Sequence, residues 1–262
     1  MSKLHRFSRT ELLIGKAGVS ALQKTSVAVF GLGGVGSYAA EALCRAGIGR
    51  LTLVDFDNIC ISNINRQLHA MDGTVGKSKS AVMAERLRLI NPAAAIIPVQ
   101  EFYSAENSDT LLDNRFDYVL DAIDHFTSKI HLLKSCRERD IPVIASMGAA
   151  MKLDPTLIRV ADIAATSRCR MARSVRKLLR KEGIETGITV VYSTEEFRAV
   201  TDGAPVKIEL PDGGEWQRRM TLGSISYIPA IFGMTMAGVV VNNLLKNRAG
   251  RLNCIELAVD CH

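Results

Sequence analysis

The chain has 262 residues, with 33 basic and 27 acidic side chains and a hydrophobic content of 47%. That length fits one large domain or two small ones, and a charged fraction of 23% excludes wholesale disorder. The aromatic content of only 5% argues against an aromatic-rich RNA-stacking surface as the main function. A formal net charge of +6 permits a polyanionic partner but does not require one.

Cysteine usage and the amino terminus indicate the compartment. The six cysteines are scattered, with no pair at two-residue spacing, which argues against the usual structural zinc site. The first residues lead into no apolar signal segment, so we expect a cytoplasmic protein with reduced thiols. The uncharged stretch from Met220 to Leu245 is long enough to cross a bilayer. Because it contains several polar residues, we favour a buried core or interface helix over a membrane span.

The first half of the chain alternates between strand and helix patterns. A short apolar run, Thr25–Phe30, precedes a glycine cluster, a helix at Ser37–Ala46 and a second apolar run at Leu51–Val54. This order is one βαβ unit of a parallel sheet. The elements predicted next are helix Lys77–Ile90, strands Ala95–Val99 and Tyr118–Ala122, helix Thr127–Arg139 and strand Pro142–Ser146. We therefore expect an α/β fold with a Rossmann-like, doubly wound, mostly parallel sheet.

The pattern changes after Asp154-Pro155. The elements predicted there are strand Leu157–Val160, a basic helix at Ala172–Lys181, strand Ile188–Tyr192, a long helix at Ile228–Leu245 and a closing strand at Cys254–Val259. The segment Thr201–Arg219, rich in Asp, Gly, Pro and charge, is predicted to be a mobile surface loop. We see no repeat and no linker, so we expect additional C-terminal strands and a long C-terminal helix that continue the same domain.

The glycine cluster Gly31-Leu32-Gly33-Gly34-Val35-Gly36 predicts a phosphate-binding loop. Glycine allows a tight turn and close approach of a phosphate, and the following helix offers free N–H groups and a positive dipole end. Asp55 ends the next strand, where a carboxylate can accept hydrogen bonds from ribose hydroxyls. These features predict a nucleotide-binding fold. They fit a nicotinamide or flavin dehydrogenase equally well.

Residues further along the chain favour phosphate chemistry. Arg66 and Lys79 supply fixed positive charge, which accelerates phosphoryl or adenylyl transfer by stabilising oxygens where charge accumulates. Asn63 offers both a donor and an acceptor. Asp124 follows the fourth strand of the series, where strand ends converge on the ligand crevice, and its carboxylate could hold magnesium. A redox enzyme would leave these residues unexplained.

Together these motifs resemble the adenylating domain of ubiquitin-activating-like enzymes, a family that includes the ThiF, MoeB and HesA proteins. The resemblance runs from about Phe7 to Ser146. The matching residues are Arg9, the glycine cluster, Asp55-Phe56-Asp57, Ser62-Asn63-Ile64-Asn65-Arg66-Gln67, Lys79 and Asp121-Ala122-Ile123-Asp124. The resemblance implies that ATP is the nucleotide. A substrate carboxylate would attack its α-phosphate and give an acyl-adenylate and pyrophosphate.

The family resemblance also implies roles for individual residues. The nucleotide-binding residues would be Gly31, Gly33, Gly34, Gly36, Asp55, Asp57, Ser62, Asn63, Arg66, Lys79 and Asp124. Among them, Gly34 would lie against the phosphates, Asp55 would bind the ribose and Asp124 would hold Mg²⁺, while Asn63, Arg66 and Lys79 would hold the triphosphate. Arg9 looks like the arginine that family members insert from a partner subunit, which implies that a homodimer is the active form.

The second half resembles the tRNA-modifying branch of this family, whose members dehydrate threonylcarbamoyladenosine at position 37 of tRNA. The matching segments are Ser146-Met147-Gly148-Ala149, Lys152-Leu153-Asp154-Pro155-Thr156, Arg159-Val160-Ala161-Asp162-Ile163, Val191-Tyr192-Ser193 and Leu222-Gly223-Ser224-Ile225-Ser226. Ala150-Met151 departs from the Gly-Asn expected there. The resemblance implies one domain over 1–262, with an ATP-binding half at 1–150 and a substrate- and tRNA-binding continuation at 151–262.

The implied reaction is chemically coherent. A carboxylate is a poor electrophile, and adenylation removes its charge and supplies a leaving group. Ring closure with loss of AMP would be intramolecular, so positioning alone could lower the barrier by roughly 7–11 kcal/mol. No enzyme thiol is then obligatory. We expect Cys44 and Cys136 to be core residues, and an incidental, partly buried Cys169 is favoured over a reactive one.

A cationic stripe is predicted on the basic helix of the second half. It consists of Arg173, Arg176, Lys177 and Arg180, which recur at helical spacing. A solvated helix face would give the same pattern. With an RNA substrate implied, we favour contact with tRNA phosphates, which gives affinity and salt dependence but no base specificity. A sulfur-transfer protein is a further candidate partner.

Three alternatives stay open at this point. An activator of a ubiquitin-like sulfur-carrier protein would use the same adenylation, but it would need a conjugating cysteine or a docking groove, and neither is evident. Activators of this kind typically carry two zinc-binding cysteine pairs, which this chain lacks. A nicotinamide-dependent dehydrogenase and a non-catalytic RNA-binding protein both leave the ATP-directed residues unexplained.

Overall fold

The computed structural model describes residues 4–112, 116–197, 207–209, 215–217 and 222–249. The helices are α1 (Ser8–Gln23), α2 (Gly36–Ala46), α3 (Lys79–Ile90), α4 (Ser108–Leu111), α5 (Phe126–Glu138), α6 (Arg170–Lys181) and α7 (Tyr227–Ala249). The strands are β1 (Ser26–Phe30), β2 (Arg50–Val54), β3 (Ala95–Val99), β4 (Tyr118–Asp121), β5 (Val143–Ser146), β6 (Ile158–Asp162), β7 (Thr189–Ser193), β8 (Lys207–Glu209) and β9 (Glu215–Gln217).

Seven strands form one sheet in the order β3-β2-β1-β4-β5-β7-β6. All neighbours are parallel except β6 and β7, which pair antiparallel at the edge. The order reverses on either side of β1, which creates a crevice at the carboxyl ends of β1 and β4, where an α/β sheet binds its ligands. The expected doubly wound, mostly parallel sheet with added C-terminal strands is therefore confirmed.

The central strands form because their residues are apolar on both faces. β1, β2, β4 and β5 each have four buried residues in succession, which is the pattern of a sheet covered by helices on both sides. Two apolar clusters, one on each face, hold the helices against the sheet. The predicted strand Ala95–Val99 matches β3 at both ends, and the ends of the other predicted elements of the first half differ by at most two residues, whereas the short helix α4 was not predicted.

The C-terminal helix α7 is a helix of the protein core. Ile228, Phe232, Met236 and Val240 recur every four residues and are fully buried, in the cluster that also contains the buried side of α2. Residues Tyr227–Lys246 are long and apolar enough to span a membrane by length and composition alone. The buried stripe explains that composition, as the interpretation of a core helix expects.

The predicted mobile loop at Thr201–Arg219 is wrong in part. The short strands β8 and β9 pair antiparallel within it, with Lys207 opposite Gln217 and Glu209 opposite Glu215. Each strand is polar, apolar, polar in sequence, which is the alternation of a half-exposed strand. The rest of the predicted loop and the predicted strand Cys254–Val259 lie outside the described residues.

Candidate active site

The glycine cluster folds into a loop over the carboxyl ends of β1 and β4. Gly31 has φ of +86°, and a Cβ there would lie 2.7 Å from the carbonyl oxygen of Ala122. A Cβ on Gly36 would lie 1.7 Å from the carbonyl oxygen of Gly31. Both positions therefore require glycine. The loop leads directly into α2, whose N-terminal N–H groups can receive a phosphate.

Asp55 holds this loop in place. Its buried carboxylate accepts hydrogen bonds from the backbone N–H of Leu32 at 2.6 Å and of Asp57 at 2.9 Å. Burial raises the pKa of Asp55, and the charge of Lys79 opposes that shift. Since each oxygen already accepts one backbone N–H, Asp55 orders the loop as well as being available to a ribose. The ribose role stays a prediction.

Lys79 is buried at the first position of α3 and reaches back toward β2. Its Nζ lies 2.6 Å from Oδ2 of Asp57, and its backbone N–H donates to the Asp57 carbonyl. Asp57 is partly exposed, whereas the ammonium is nearly inaccessible. The structure thus fixes one predicted cation beside the loop that carries the glycines. Ser78, which caps α3, sets the direction from which the lysine enters.

The segment with Asn63 and Arg66 closes the other side of the glycine loop. A Cβ on Gly34 would lie 3.2 Å from the carbonyl oxygen of Arg66, so the two segments touch. Nη1 of Arg66 donates to the Ser62 carbonyl at 2.9 Å. Asn63 is buried, and its Oδ1 accepts the backbone N–H of Cys60 at 3.0 Å, which shapes the turn. Arg66 therefore lies against the glycine loop, and Asn63 shapes the turn that precedes it.

Asp124 lies exposed just beyond β4. The turn that presents it is held by Asp121, whose Oδ1 accepts the backbone N–H of Ile123 at 3.0 Å. Oδ2 of Asp121 lies 2.6 Å from Nζ of Lys129, and both side chains are fully buried. Sequence reasoning missed Lys129, because a lysine in a helix normally signals a solvated face.

An exposed aromatic cluster at the same edge was also missed. Phe56 and Phe102 pack edge to face with centroids 5.0 Å apart, and Phe102 meets His125 at 5.6 Å. All three rings stand on segments that follow the carboxyl ends of β2, β3 and β4. Their shared position after the strand ends was the sequence signal that could have predicted this cluster. The rings pack edge to face and leave a partly apolar surface exposed at this edge of the sheet.

No group of three or more His, Cys, Asp or Glu side chains with metal-binding geometry occurs among the described residues. An exposed carboxylate such as that of Asp124 still suits Mg²⁺, which usually binds one or two carboxylates together with substrate phosphates instead of an all-protein cage.

Arg9 is exposed near the start of α1. The four described cysteines are free; Cys44, Cys136 and Cys169 are buried, as expected for the first two, and burial raises the pKa of Cys136 to about 12.

The cationic stripe of α6 is smaller than expected. Arg176 is half-buried, and its guanidinium donates to the carbonyl oxygens of Ile163 and Thr166 at 3.1 and 3.0 Å. It therefore fastens α6 to the preceding turn. The sequence periodicity predicts the helix face on which Arg176 lies, but it does not predict that the turn at 163–166 packs against that residue. The other three predicted residues are exposed, namely Arg173, Lys177 and Arg180.

The backbone of Met151 is left-handed, with φ of +58°, a conformation that residues other than Gly, Asn and Asp rarely adopt. Its backbone N–H donates to the Gly223 carbonyl at 2.9 Å, and its sulfur accepts the Gly223 N–H at 3.2 Å. Asn65 donates to the carbonyl of the next residue, Ser224. The loop after β5, the 222–226 segment and the Arg66 segment therefore form one continuous wall.

Comparison with known proteins gives consistent results over nearly the whole chain. The ThiF family matches residues 7–257. The tRNA threonylcarbamoyladenosine dehydratase of Bacillus subtilis (strain 168) is 45% identical over 244 residues, covering 93% of this chain and 96% of that protein. The Escherichia coli K12 protein of the same name is 36% identical, covering 92% of each chain. The crystal structure of the E. coli enzyme with ATP has a TM-score of 0.82 at 33% identity, covering 94% and 96% of the two chains.

Proposed function

Since the chain belongs to the ThiF family, we propose that it is an ATP-dependent tRNA threonylcarbamoyladenosine dehydratase. The observation that carries this proposal is the end-to-end similarity to dehydratases, one of them solved with ATP. Similarity to the molybdopterin-synthase adenylyltransferase of E. coli, which would favour the sulfur-carrier alternative, covers only 57% of this chain. The 151 matched residues are about as many as the nucleotide-binding half contains. This similarity therefore supports adenylation, but it does not support a sulfur-carrier protein as the substrate.

The first chemical step is adenylation of the substrate. A carboxylate oxygen of the threonylcarbamoyl group attacks the α-phosphorus of ATP, and pyrophosphate leaves. The glycine loop and the start of α2 receive phosphate oxygens, while Lys79 and Arg66 neutralise the charge that builds up on them. Lys79 suits this role because it is buried and held by Asp57, so little reorganisation is needed when the nucleotide binds.

We assign Mg²⁺ to Asp124, whose exposed carboxylate stands at the mouth of the crevice. The ion would neutralise phosphate charge and orient the triphosphate. Asp57 lies at the same edge of the sheet, and Asp55 would accept the ribose hydroxyls. The aromatic rings of Phe56 and Phe102 would support the adenine.

The second step closes a ring within the modified base. A nucleophilic atom of the same threonylcarbamoyl group attacks the acyl carbon, and AMP leaves with the former carboxylate oxygen. Water is thereby removed from the nucleoside in the net reaction. Because both reacting atoms belong to one bound group, the wall formed by Met151, Gly223 and Asn65 can act by positioning alone.

The tRNA body requires a positive surface outside the crevice. Arg173, Lys177 and Arg180 lie exposed on α6 and would contact phosphates. We propose a cytoplasmic location, because the proposed substrate is a tRNA. A sulfur-transfer protein partner stays a prediction from the family resemblance.

We also propose a homodimer in which Arg9 enters the partner's site. The helix that carries Arg9, α1, also exposes Leu12 and Leu13, each 85% exposed. A second copy would cover these apolar side chains. If Arg9 acts in the partner's site, mixing Arg9→Ala and Lys79→Ala chains should restore roughly a quarter of the wild-type activity, because mixed dimers hold one intact site. No restoration would place Arg9 outside the partner's site.

The function is tested by giving the purified protein ATP and tRNA that carries threonylcarbamoyladenosine. Mass spectrometry of the digested tRNA should show a nucleoside lighter by one water, with one AMP and one pyrophosphate formed for each. The sulfur-carrier alternative would be favoured instead if the rate of ATP–pyrophosphate exchange were unchanged by tRNA but increased by a small protein ending in Gly-Gly.

A further inference from the structure

A fully buried ion pair lies behind the proposed magnesium carboxylate. Lys129 on α5 and Asp121 at the end of β4 are both 0% exposed, and Nζ and Oδ2 are 2.6 Å apart. The same ammonium donates to the carbonyl oxygen of Ser146, the last residue of β5, at 3.1 Å. One charge thus joins the carboxyl ends of two adjacent central strands.

The carboxylate of this pair shapes the turn that leads to Asp124. Oδ1 of Asp121 accepts the backbone N–H of Ile123, and the carbonyl of Ala122 packs against Gly31. A shift of Asp121 would therefore move the turn 121–124 relative to the glycine loop. The fully buried Lys129 ammonium bonds to Asp121 and to the Ser146 carbonyl, so its effect on Asp124 passes through Asp121.

A buried ion pair of this kind generally adds little net stability to a fold. Desolvation of two charges commonly cancels their attraction, and replacing both with neutral groups of similar volume is often neutral or stabilising. Removing only one partner leaves an uncompensated buried charge, which is strongly destabilising. The intact pair therefore serves mainly to fix the position of Asp121. Both oxygens of Asp121 and two N–H groups of the Lys129 ammonium have defined hydrogen-bond partners.

We propose that Lys129 is a positioning residue, which holds Asp124 at the correct distance from the glycine loop for a divalent ion bound to ATP. This inference rests on the proposed function, because it takes Asp124 as the carboxylate that meets the ion. It assigns to Lys129 an effect on the affinity for the metal–nucleotide complex, separate from any effect on folding.

The test uses Mn²⁺ as the probe, with a non-hydrolysable ATP analogue and without tRNA. The affinity for Mn²⁺ in the ternary complex is measured by electron paramagnetic resonance on the full-length protein. Four variants are compared: Lys129→Met, the neutral pair Asp121→Asn with Lys129→Met, Lys129→Arg, and Asp124→Asn. Lys134→Met is the matched control, at a half-exposed position on the same helix whose ammonium pairs with Glu182 and not with Asp121.

We expect the neutral-pair variant to melt near the wild-type temperature and to bind Mn²⁺ at least 10-fold more weakly, and we expect the same loss of affinity for Asp124→Asn. Lys129→Arg should recover part of the loss, and Lys134→Met should bind like the wild type. Lys129→Met alone can fail to fold, which is why the neutral pair carries the decision. Wild-type Mn²⁺ affinity in a folded neutral-pair variant would overturn the proposal, and so would a loss there with none in Asp124→Asn.

Failure of the proposed function gives a different result. In that case the wild-type protein itself would bind no Mn²⁺ with the ATP analogue, or it would bind both and leave threonylcarbamoyladenosine unchanged. The first result overturns this inference along with the function, whereas the second leaves the metal measurement valid.

Discussion

The buried imidazole of His69 should make the fold sensitive to acid. The side chain is 0% exposed, and neither ring nitrogen has a hydrogen-bond partner in the described structure. Burial, with smaller contributions from the positive charges of Lys79 and Arg86, lowers the pKa of His69 from 6.5 to about 4. The ring is therefore neutral in the folded protein at pH 7 and lies near cations that oppose its protonation.

The direction of the pH effect follows from linkage. A group whose pKa is lower in the folded state contributes stability that is fully present above its unfolded pKa of 6.5, and this stability is lost progressively as the pH falls from 6.5 through the folded pKa of about 4. With these values the free energy of unfolding should fall by about 2 kcal/mol between pH 7 and pH 5 on account of this residue alone. The segment with Asn63 and Arg66 precedes His69 directly, so nucleotide binding should weaken over the same range.

Urea denaturation at pH 7, 6 and 5 measures this contribution. The variant His69→Leu fills the site with an apolar side chain, so it should lose about 2 kcal/mol less than the wild type over that range. If His69→Leu loses as much stability as the wild type, His69 is not the acid-sensitive group.

Three further predictions address the site and its surroundings. Lys79→Ala should slow ATP-dependent pyrophosphate release by about 10²–10³-fold, and the exposed neighbour Lys77→Ala should leave it unchanged; full activity in Lys79→Ala would remove that residue from the site. Met151→Asn should stabilise the fold by about 1 kcal/mol and raise the melting temperature by about 2–4 °C, because asparagine tolerates the left-handed backbone, and a lower melting temperature would contradict the strain. The double variant Arg173→Ala, Arg180→Ala should weaken tRNA binding and reduce the dependence of log K on log salt by about 1.5 units, whereas an unchanged slope would exclude these side chains from phosphate contact.

The features that sequence predicts best are local. The order of strands and helices follows from apolar periodicity, and the glycine loop follows from a backbone requirement that only one residue type meets. Gly31, Gly36 and Asp55 are therefore predictable as one site from the sequence alone. The departure at Ala150-Met151 was also visible, and the structure explains the Gly-Asn expected there, since Met151 has φ of +58°.

Features that depend on packing between distant elements could not be predicted. Lys129 is eight residues from Asp121, and nothing in a basic helix residue shows that it will turn inward and be fully buried. Arg176 shares its spacing with exposed arginines, yet the turn at 163–166 packs over it alone among the stripe residues. The aromatic surface of Phe56, Phe102 and His125 comes from three separate strand ends, which meet only when the sheet forms.

The central claim is that cations around the glycine loop hold ATP while a substrate carboxylate attacks its α-phosphorus. Isotope transfer tests it most directly. The tRNA substrate is prepared with ¹⁸O in the carboxylate of its threonylcarbamoyl group, and the released nucleotide is examined by mass spectrometry after one turnover. The account predicts AMP that carries one ¹⁸O atom, with unlabelled pyrophosphate. Label in inorganic phosphate together with ADP, or label in water alone, would contradict it.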